Sequence, residues 1–282
     1  MNISRISGRI GAEVTGIDLN NLTDNEFLAV EAAFAEYLVL SFREQNITPE
    51  SLVALTHRFG GPGETPYLTG MDNYPDVVPV IKEASEQSPH TFGAGWHTDF
   101  TFQQTPPSRT LLYAVDTPES GGDTLYTNLY LAYNALSDGM KAALGRLTAV
   151  HSAVRSYGPN ATLKDHMENM TITNDEREPG IMEHPVISEH PVTHKPVLWI
   201  NPTYTIRFSE MTEDESKPLL DYLNQHAISP SFGCRIKWAR GTLTMWDNRC
   251  TQHCATSDYA GHRREMWRTT VRGESPVRYQ HR

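Results

Sequence analysis

Cysteine is scarce in this chain, with Cys234, Cys250 and Cys254 its whole complement. The number is odd and the spacing pairs nothing, which excludes a disulfide framework or a cysteine-based zinc site and suits a reducing compartment. Long apolar runs are missing as well. No stretch approaches the roughly 20 residues of a membrane-spanning helix, and Met1-Asn2-Ile3-Ser4-Arg5 opens without the apolar run of a secretory signal. A cytoplasmic protein without membrane contact is therefore expected. Positive charge is also in short supply, 24 Lys and Arg against 34 Asp and Glu for a net −10. With no basic run anywhere, nucleic acid is disfavoured as a partner, and any anion site must be built locally. No internal repeat or domain-splitting linker is evident, so the 282 residues read as one domain, large enough to bury a full core. No apolar interface stripe counts subunits, which leaves a homo-oligomer open.

What is present is a set of short strand-like runs with helices between them. Residues 9 to 20 alternate glycine with apolar positions and read as short strands. Thr23-Asp24-Asn25-Glu26 is a capping box opening a helix with the apolar stripe Phe27, Val30, Phe34, Tyr37 and Leu38. Leu38 to Phe42 then reads as a buried strand, and Thr48-Pro49-Glu50 starts a second helix that Gly60 stops. From about 61 to 95 the composition of Gly, Pro, Thr and Ser predicts a long lid-like loop. Strands are expected at 109–115, 123–127, 147–153, 196–201, 234–238, 242–246 and 266–271, with helices after Ser137 and after Thr212. Residues about 157 to 182 are polar and poorly patterned, as in a flexible excursion. This mainly β pattern with flanking helices predicts a double-sheet jelly roll carrying its site in the mouth, although periodicity alone fits other β-sandwiches.

Chemistry concentrates in Trp96-His97-Thr98-Asp99 and in a distant His253. A bare His-x-Asp arises by composition alone in a chain with 12 histidines, so the tripeptide by itself means little. Residues 97 and 99 sit two apart in a β-rich setting, where their side chains leave one face. With His253 they make two imidazoles and one carboxylate, the set that holds non-haem Fe(II) on one side and leaves the other open to oxygen chemistry. Cys250 and Cys254 flank His253 and read as small, partly buried thiols rather than ligands. His253 itself falls in what reads as a polar turn.

Downstream, Arg264, Met266 and Arg268 point to one face of a strand, with Arg263, Glu265 and Trp267 on the other. Two inward guanidiniums need anionic partners. Internal carboxylates such as Asp258 or Glu265 are one answer. Another is a small dicarboxylate that chelates the metal at one end and offers its far carboxylate to one arginine, leaving the second for an anionic substrate. Thr124, in Gly121-Gly122-Asp123-Thr124, can add a hydroxyl, or simply enter a strand from a turn.

The chain at this point resembles the taurine and aryloxyalkanoate dioxygenases that depend on Fe(II) and 2-oxoglutarate. Gly11-Ala12-Glu13-Val14-Thr15-Gly16, Arg58-Phe59-Gly60, Trp96-His97-Thr98-Asp99, Gly121-Gly122-Asp123-Thr124, Trp246-Asp247-Asn248 and the Arg264/Arg268 pair fall in that family's order. The resemblance implies a double-stranded β-helix, iron on His97, Asp99 and His253, 2-oxoglutarate on Arg264 and Thr124, and Arg268 facing the acidic group of a small organic anion. It also implies O2 as co-substrate and release of succinate and CO2. Taurine enzymes carry a histidine after the Arg58-Phe59-Gly60 segment, and Gly61-Pro62-Gly63-Glu64-Thr65-Pro66-Tyr67 has none, which argues against taurine. The segments 211–220 and 233–238 look more like enzymes acting on aryloxypropionates. Aryloxyalkanoates, sulfonates and sulfate esters are the substrate classes implied. Tyr67, Phe92, Tyr157 and Tyr204 read either as an aromatic substrate pocket or as core. Asp99 favours hydroxylation over halogenation. Desaturation, or a non-catalytic metal-binding anion sensor, are the competing readings, and succinate formation separates enzyme from sensor.

Overall fold

The computed structural model describes residues 1–86, 88–173 and 180–280. The first part of the chain holds strands β1 (Asn2–Arg5), β2 (Ala12–Thr15), β3 (Val39–Phe42) and β4 (Val78–Lys82), with helices α1 (Asp24–Tyr37) and α2 (Pro49–Arg58). The middle holds β5 (Arg109–Asp116), β6 (Thr124–Asn128), α3 (Leu129–Asn134), α4 (Asp138–Leu144), β7 (Thr148–Ser152) and α5 (Val154–Tyr157). Then come β8 (Ile181–Pro185), β9 (Ile187–Glu189), β10 (Pro196–Leu198), β11 (Thr205–Phe208) and α6 (Glu213–Ala227). The chain closes with β12 (Gly233–Ile236), β13 (Leu243–Asp247), β14 (Thr251–Ala255), β15 (Arg264–Val271) and β16 (Val277–Arg278). The protein is mainly β with some helices, as its patterning predicts.

Seven strands form one sheet in the order β1-β2-β3-β13-β5-β15-β4, and three-stranded sheets β12-β6-β14, β11-β7-β8 and β10-β9-β16 complete the set. The central strands of the large sheet are buried on both faces, and their period-2 alternation divides the apolar side chains between them. Leu111 and Tyr113 join Leu40, Phe42 and Met245 under α1 and α2, while Leu112 and Ala114 join Met266, Trp246 and, from the smaller sheet, Tyr126 and Ile236. The second cluster therefore lies between the two sheets. At about 1.5–3 kcal/mol per fully buried large apolar side chain, it also holds in register the strands that carry the site.

The helix starts follow their caps. Thr23 and Glu26 close a reciprocal capping box, as do Thr212 and Glu215, and Ser137 accepts from the Met140 amide at the start of α4. Each satisfies backbone donors that the first turn otherwise leaves open.

Four expectations need correction. The long loop at 61–95 contains strand β4, which pairs with β15 at the end of the large sheet. The Gly, Pro, Thr and Ser content of this stretch reads as loop, yet a proline such as Pro79 fits an edge strand, which needs ladder donors on one side only. His253 lies not in a turn but in β14, opposite Tyr126 of β6; Thr-Gln-His-Cys-Ala has no apolar alternation, and its strand form comes from the partner strand. Of residues 9 to 20 only Ala12–Thr15 become a strand. Within the supposed excursion at 157–182, Met167, Met170 and Ile172 are buried and Ile172 bridges to Leu68; residues 174–179 of that span lie outside the described residues. No described helix is long and apolar enough to cross a membrane.

Candidate metal and anion site

Backbone pairing between two distant segments builds the site. The amide of His97 donates to the His253 carbonyl at 3.0 Å and the His253 amide returns the bond at 2.8 Å. The two imidazoles are thereby fixed side by side, ring centroids 4.2 Å apart. Asp99 follows in a turn, not a strand, whose next residue, Phe100, has φ 49°. Its Oδ1 lies 3.5 Å from His97 Nε2 and 3.9 Å from His253 Nε2. One ligand atom from each of the three residues falls within 4.8 Å of the others, close enough for a single ion to touch all three.

Hydrogen bonding decides which atoms are free. His97 Nδ1 sits 2.6 Å from the Gly95 carbonyl, so that nitrogen carries the proton and Nε2 presents its lone pair. Burial, followed by the neighbouring His97, holds the His253 imidazole well below its ordinary pKa, in its neutral, ligating form. For Asp99, burial opposes ionisation, but Arg268, His253 and His97 outweigh it and hold the carboxyl well below its usual range. A buried line of donors reaches the same carboxylate: Trp246 Nε1 donates to Asn248 Oδ1 at 3.0 Å, Asn248 Nδ2 to Thr110 Oγ1 at 2.9 Å, and Thr110 Oγ1 to Asp99 Oδ2 at 2.6 Å. With Oδ2 held this way, Oδ1 faces the imidazoles. Nothing in the sequence marks Thr110, because a threonine in a β-run reads as ordinary strand; Trp246-Asp247-Asn248 carries the resemblance without a role of its own.

Arg264 and Arg268 do point to one face of β15, 3% and 4% exposed. Neither internal carboxylate suggested for them takes Arg264. Glu265 pairs with Arg263 at 2.6 Å and Asp258 approaches Arg235 at 3.6 Å. Among the described residues the Arg264 guanidinium has Tyr259 and Trp238 rings beside it and an unpartnered Nε. Burial pushes its pKa down, opposed in part by Tyr259, Tyr126 and Asp123, and no carboxylate among the described residues forms an ion pair with it. Gly122, at φ 68°, makes room for it: a Cβ there would lie 3.2 Å from Arg264 Cδ and Nε. Arg268 differs, since its Nη2 pairs with Asp99 Oδ1 at 2.9 Å while its buried Nη1 has no partner among the described residues.

Two cavities meet at Phe92, Gly93 and His97. The inner one is lined by Asp99, His253, Thr124, Arg264 and Arg268, and the Thr124 hydroxyl there accepts from Trp238 Nε1 at 3.0 Å. Its outer neighbour, about 310 Å3, is lined by Tyr157, Tyr204 and Phe92 and opens past His90, Arg155 and His166. Tyr67 stacks on Tyr157 at 4.7 Å and stands behind the lining. Tyr204 meets His97 edge-on at 6.2 Å. All ten residues singled out from the sequence therefore fall in or against this pair of cavities.

A second ligand-type cluster, His190, Asp247 and Cys250, is buried elsewhere, but its polar atoms are spent. His190 Nδ1 accepts from the amides of Val192 and Thr193 and Nε2 donates to Asp247 Oδ2, while Asp247 is gripped on both oxygens by Arg249. The cluster braces the end of β13.

Similarities to known proteins agree with this geometry. The family model described as "Taurine catabolism dioxygenase TauD, TfdA family" matches residues 2–270. The chain is 30% identical over 280 residues to an alkylsulfatase of Acinetobacter baylyi, covering 97% of this chain and 86% of that protein. It is 28% identical over 282 residues to the (S)-phenoxypropionate/alpha-ketoglutarate-dioxygenase of Sphingobium herbicidovorans, covering 97% and 95%. Among solved structures, a taurine dioxygenase from Burkholderia xenovorans superposes with a TM-score of 0.82 at 34% identity, covering 98% of this chain and 92% of that one. The chain belongs to the TauD/TfdA family of dioxygenases.

Proposed function

We propose that His97, Asp99 and His253 hold the Fe(II) of this 2-oxoglutarate-dependent dioxygenase, that Arg264 and Thr124 hold the far carboxylate of 2-oxoglutarate, and that the substrate oxidised is a small organic anion. The observation that carries the reading is Arg264, a buried guanidinium without a carboxylate partner among the described residues, in the cavity whose other wall is the His-Asp-His cluster. A buried cation left unpaired costs several kcal/mol; a dicarboxylate that reaches the metal at one end removes that cost at the other. The donor set fits as well, since two imidazoles and a carboxylate suit Fe(II) with open positions. The two sheets that share the site then form the layers of a double-stranded β-helix, and residues 1–282 one domain.

When bound, Fe(II), 2-oxoglutarate and O2 supply the oxidative decarboxylation that yields succinate and CO2 and the means to hydroxylate a C–H bond. The chain's own residues position the reactants. His97 and His253 present Nε2 with their rings locked by the mutual backbone bonds, and Thr110 keeps Asp99 Oδ1 aimed at them. Arg268 offers Nη1 to the substrate's acidic group, and Phe92, Tyr157 and Tyr204, backed by Tyr67, form walls for its apolar body and exclude water. Candidate substrates are sulfate esters, sulfonates and aryloxyalkanoates, whose hydroxylated carbon expels its leaving group. Such a substrate fits a cavity of about 310 Å3, at the lower end of the roughly 300–1,000 Å3 of ordinary ligand pockets.

The test is succinate formation and oxygen uptake with Fe(II) and 2-oxoglutarate across a panel of alkyl sulfates, sulfonates and aryloxy acids. One class stimulates turnover, and His97→Ala, Asp99→Ala and His253→Ala each abolish iron binding. Full metal content in His253→Ala, or no stimulation by any anion, would overturn the reading.

A further inference from the structure

The turn that delivers Asp99 is held from behind by two buried histidines outside the ligand set. Phe100, the residue after Asp99, has φ 49°, a left-handed conformation that a bulky side chain seldom adopts and that persists only where the surroundings over-determine it. Hydrogen bonds hold it here. The Gln103 amide closes the turn on the Phe100 carbonyl at 2.9 Å, His184 Nε2 donates to the Gln103 carbonyl at 3.0 Å, and His151 Nδ1 lies 2.9 Å from the Thr101 hydroxyl oxygen. The His151 and His184 rings meet edge-on at 5.4 Å and are 0% and 3% exposed.

Asn201 fixes the direction of the bond to His151. Its Nδ2 donates to Thr101 Oγ1 at 3.1 Å, so the hydroxyl's own proton goes to His151 Nδ1, which accepts. Burial, followed by His184, holds this imidazole well below its ordinary pKa and keeps it neutral. Nε2 then carries the ring's proton, and it has no partner among the described residues. An apolar side chain of similar size would leave no such orphan; what the histidine adds is an acceptor for Thr101. Through Oδ1 the same Asn201 accepts from the Tyr204 amide at 2.8 Å, which joins the turn to the wall of the outer cavity. We propose that His151, Thr101 and Asn201 are positioning residues, whose buried knot fixes the left-handed turn and so sets the Asp99 carboxylate against His97 and His253. The inference rests on the metal reading above and extends it to residues that touch neither metal nor substrate.

Thr101→Val keeps the shape of the side chain and removes the hydroxyl, whereas Thr101→Ser keeps the hydroxyl. Co(II), whose absorption spectrum reports the arrangement of its ligands, is titrated anaerobically into the apo-proteins, and melting temperature follows each fold separately. Thr101→Val and His151→Leu should raise the Co(II) Kd about tenfold or more and shift its ligand-field bands, with Thr101→Ser within about threefold of wild type. Leu52→Ala, in the apolar cluster under α1 and α2, supplies a destabilised protein with the knot intact, and its Kd should stay within about twofold of wild type. A wild-type Kd and spectrum in Thr101→Val overturn the proposal. So does a loss in Thr101→Ser as large as in Thr101→Val, or an equal loss in Leu52→Ala, which would make metal affinity a consequence of stability alone. Should His151→Leu fail to fold, the Thr101 pair decides by the same comparison. Wild-type protein that binds no Co(II) overturns the metal reading itself, a result distinct from unaffected variants.

Discussion

Arg268 Nη2 lies 2.9 Å from Asp99 Oδ1, so the arginine expected to meet substrate also grips the carboxylate expected to meet metal. The two roles meet on one guanidinium with five donors in a rigid fork. Arg268→Ala should leave 2-oxoglutarate affinity within about threefold if, as proposed, Arg264 holds that ligand, while substrate-stimulated turnover falls by about 100-fold or more as the reacting C–H bond loses its orientation. Slow succinate formation without substrate oxidation should persist. Equal loss of 2-oxoglutarate binding and turnover would show that the two arginines have not divided the work.

Arg264→Ala gives the complementary result. Removing the buried partner of a desolvated carboxylate should weaken 2-oxoglutarate binding by about 2–5 kcal/mol, read as the concentration dependence of succinate formation. An apparent affinity within about twofold of wild type would move the role elsewhere.

Thr110→Val keeps the shape of the strand residue and removes the donor to Asp99 Oδ2. It also leaves Asn248 Nδ2 without its acceptor. Stability should fall by about 1–3 kcal/mol for the unsatisfied buried groups, and iron affinity by about 10–100-fold, the usual loss when an outer partner of a metal ligand is removed. Thermal melts and metal titration read the two effects separately, and unchanged metal affinity would reduce Thr110 to a packing residue.

His151 ties stability to pH. It is fully buried, and burial, followed by the neighbouring His184, holds its pKa well below the ordinary value. The folded form stays neutral where the unfolded chain takes up a proton, below about 6.5. The unfolded state then binds more protons, so the stabilisation is present above that pH and is lost as pH falls toward the folded pKa. Melting temperature should drop between about pH 7 and pH 5, and less steeply in His151→Gln. Equal slopes in the two proteins would remove His151 from the account.

Local chemistry made much of this protein legible. The caps at Thr23, Ser137 and Thr212 start helices because their side chains satisfy amides a few residues away, an interaction that needs no tertiary partner. The same holds for the inward face of Arg264, Met266 and Arg268, since strand periodicity alone sorts side chains. Strand β4 stayed hidden because its stretch is rich in Gly, Pro, Thr and Ser and because Pro79 fits a strand only at an edge, and an edge is a property of the assembled sheet. Strand β14 stayed hidden because its ladder is written in β6.

The sequence by itself determined the candidate ligand types, their order and many of the local elements that carry them, because charge, periodicity and capping act over a few residues. Only the tertiary structure decided how those groups divide their bonds. It took the mutual backbone pairing of His97 and His253 to bring residues more than half a chain apart within reach of one ion. It took the packing of two sheets to spend Arg268 Nη2 on Asp99 while leaving Arg264 without an ion-paired carboxylate among the described residues. A buried hydrogen bond or ion pair is set by which neighbour lies within reach in three dimensions and by the cost of leaving a polar atom unmatched, and neither is written in the spacing of residues along the chain.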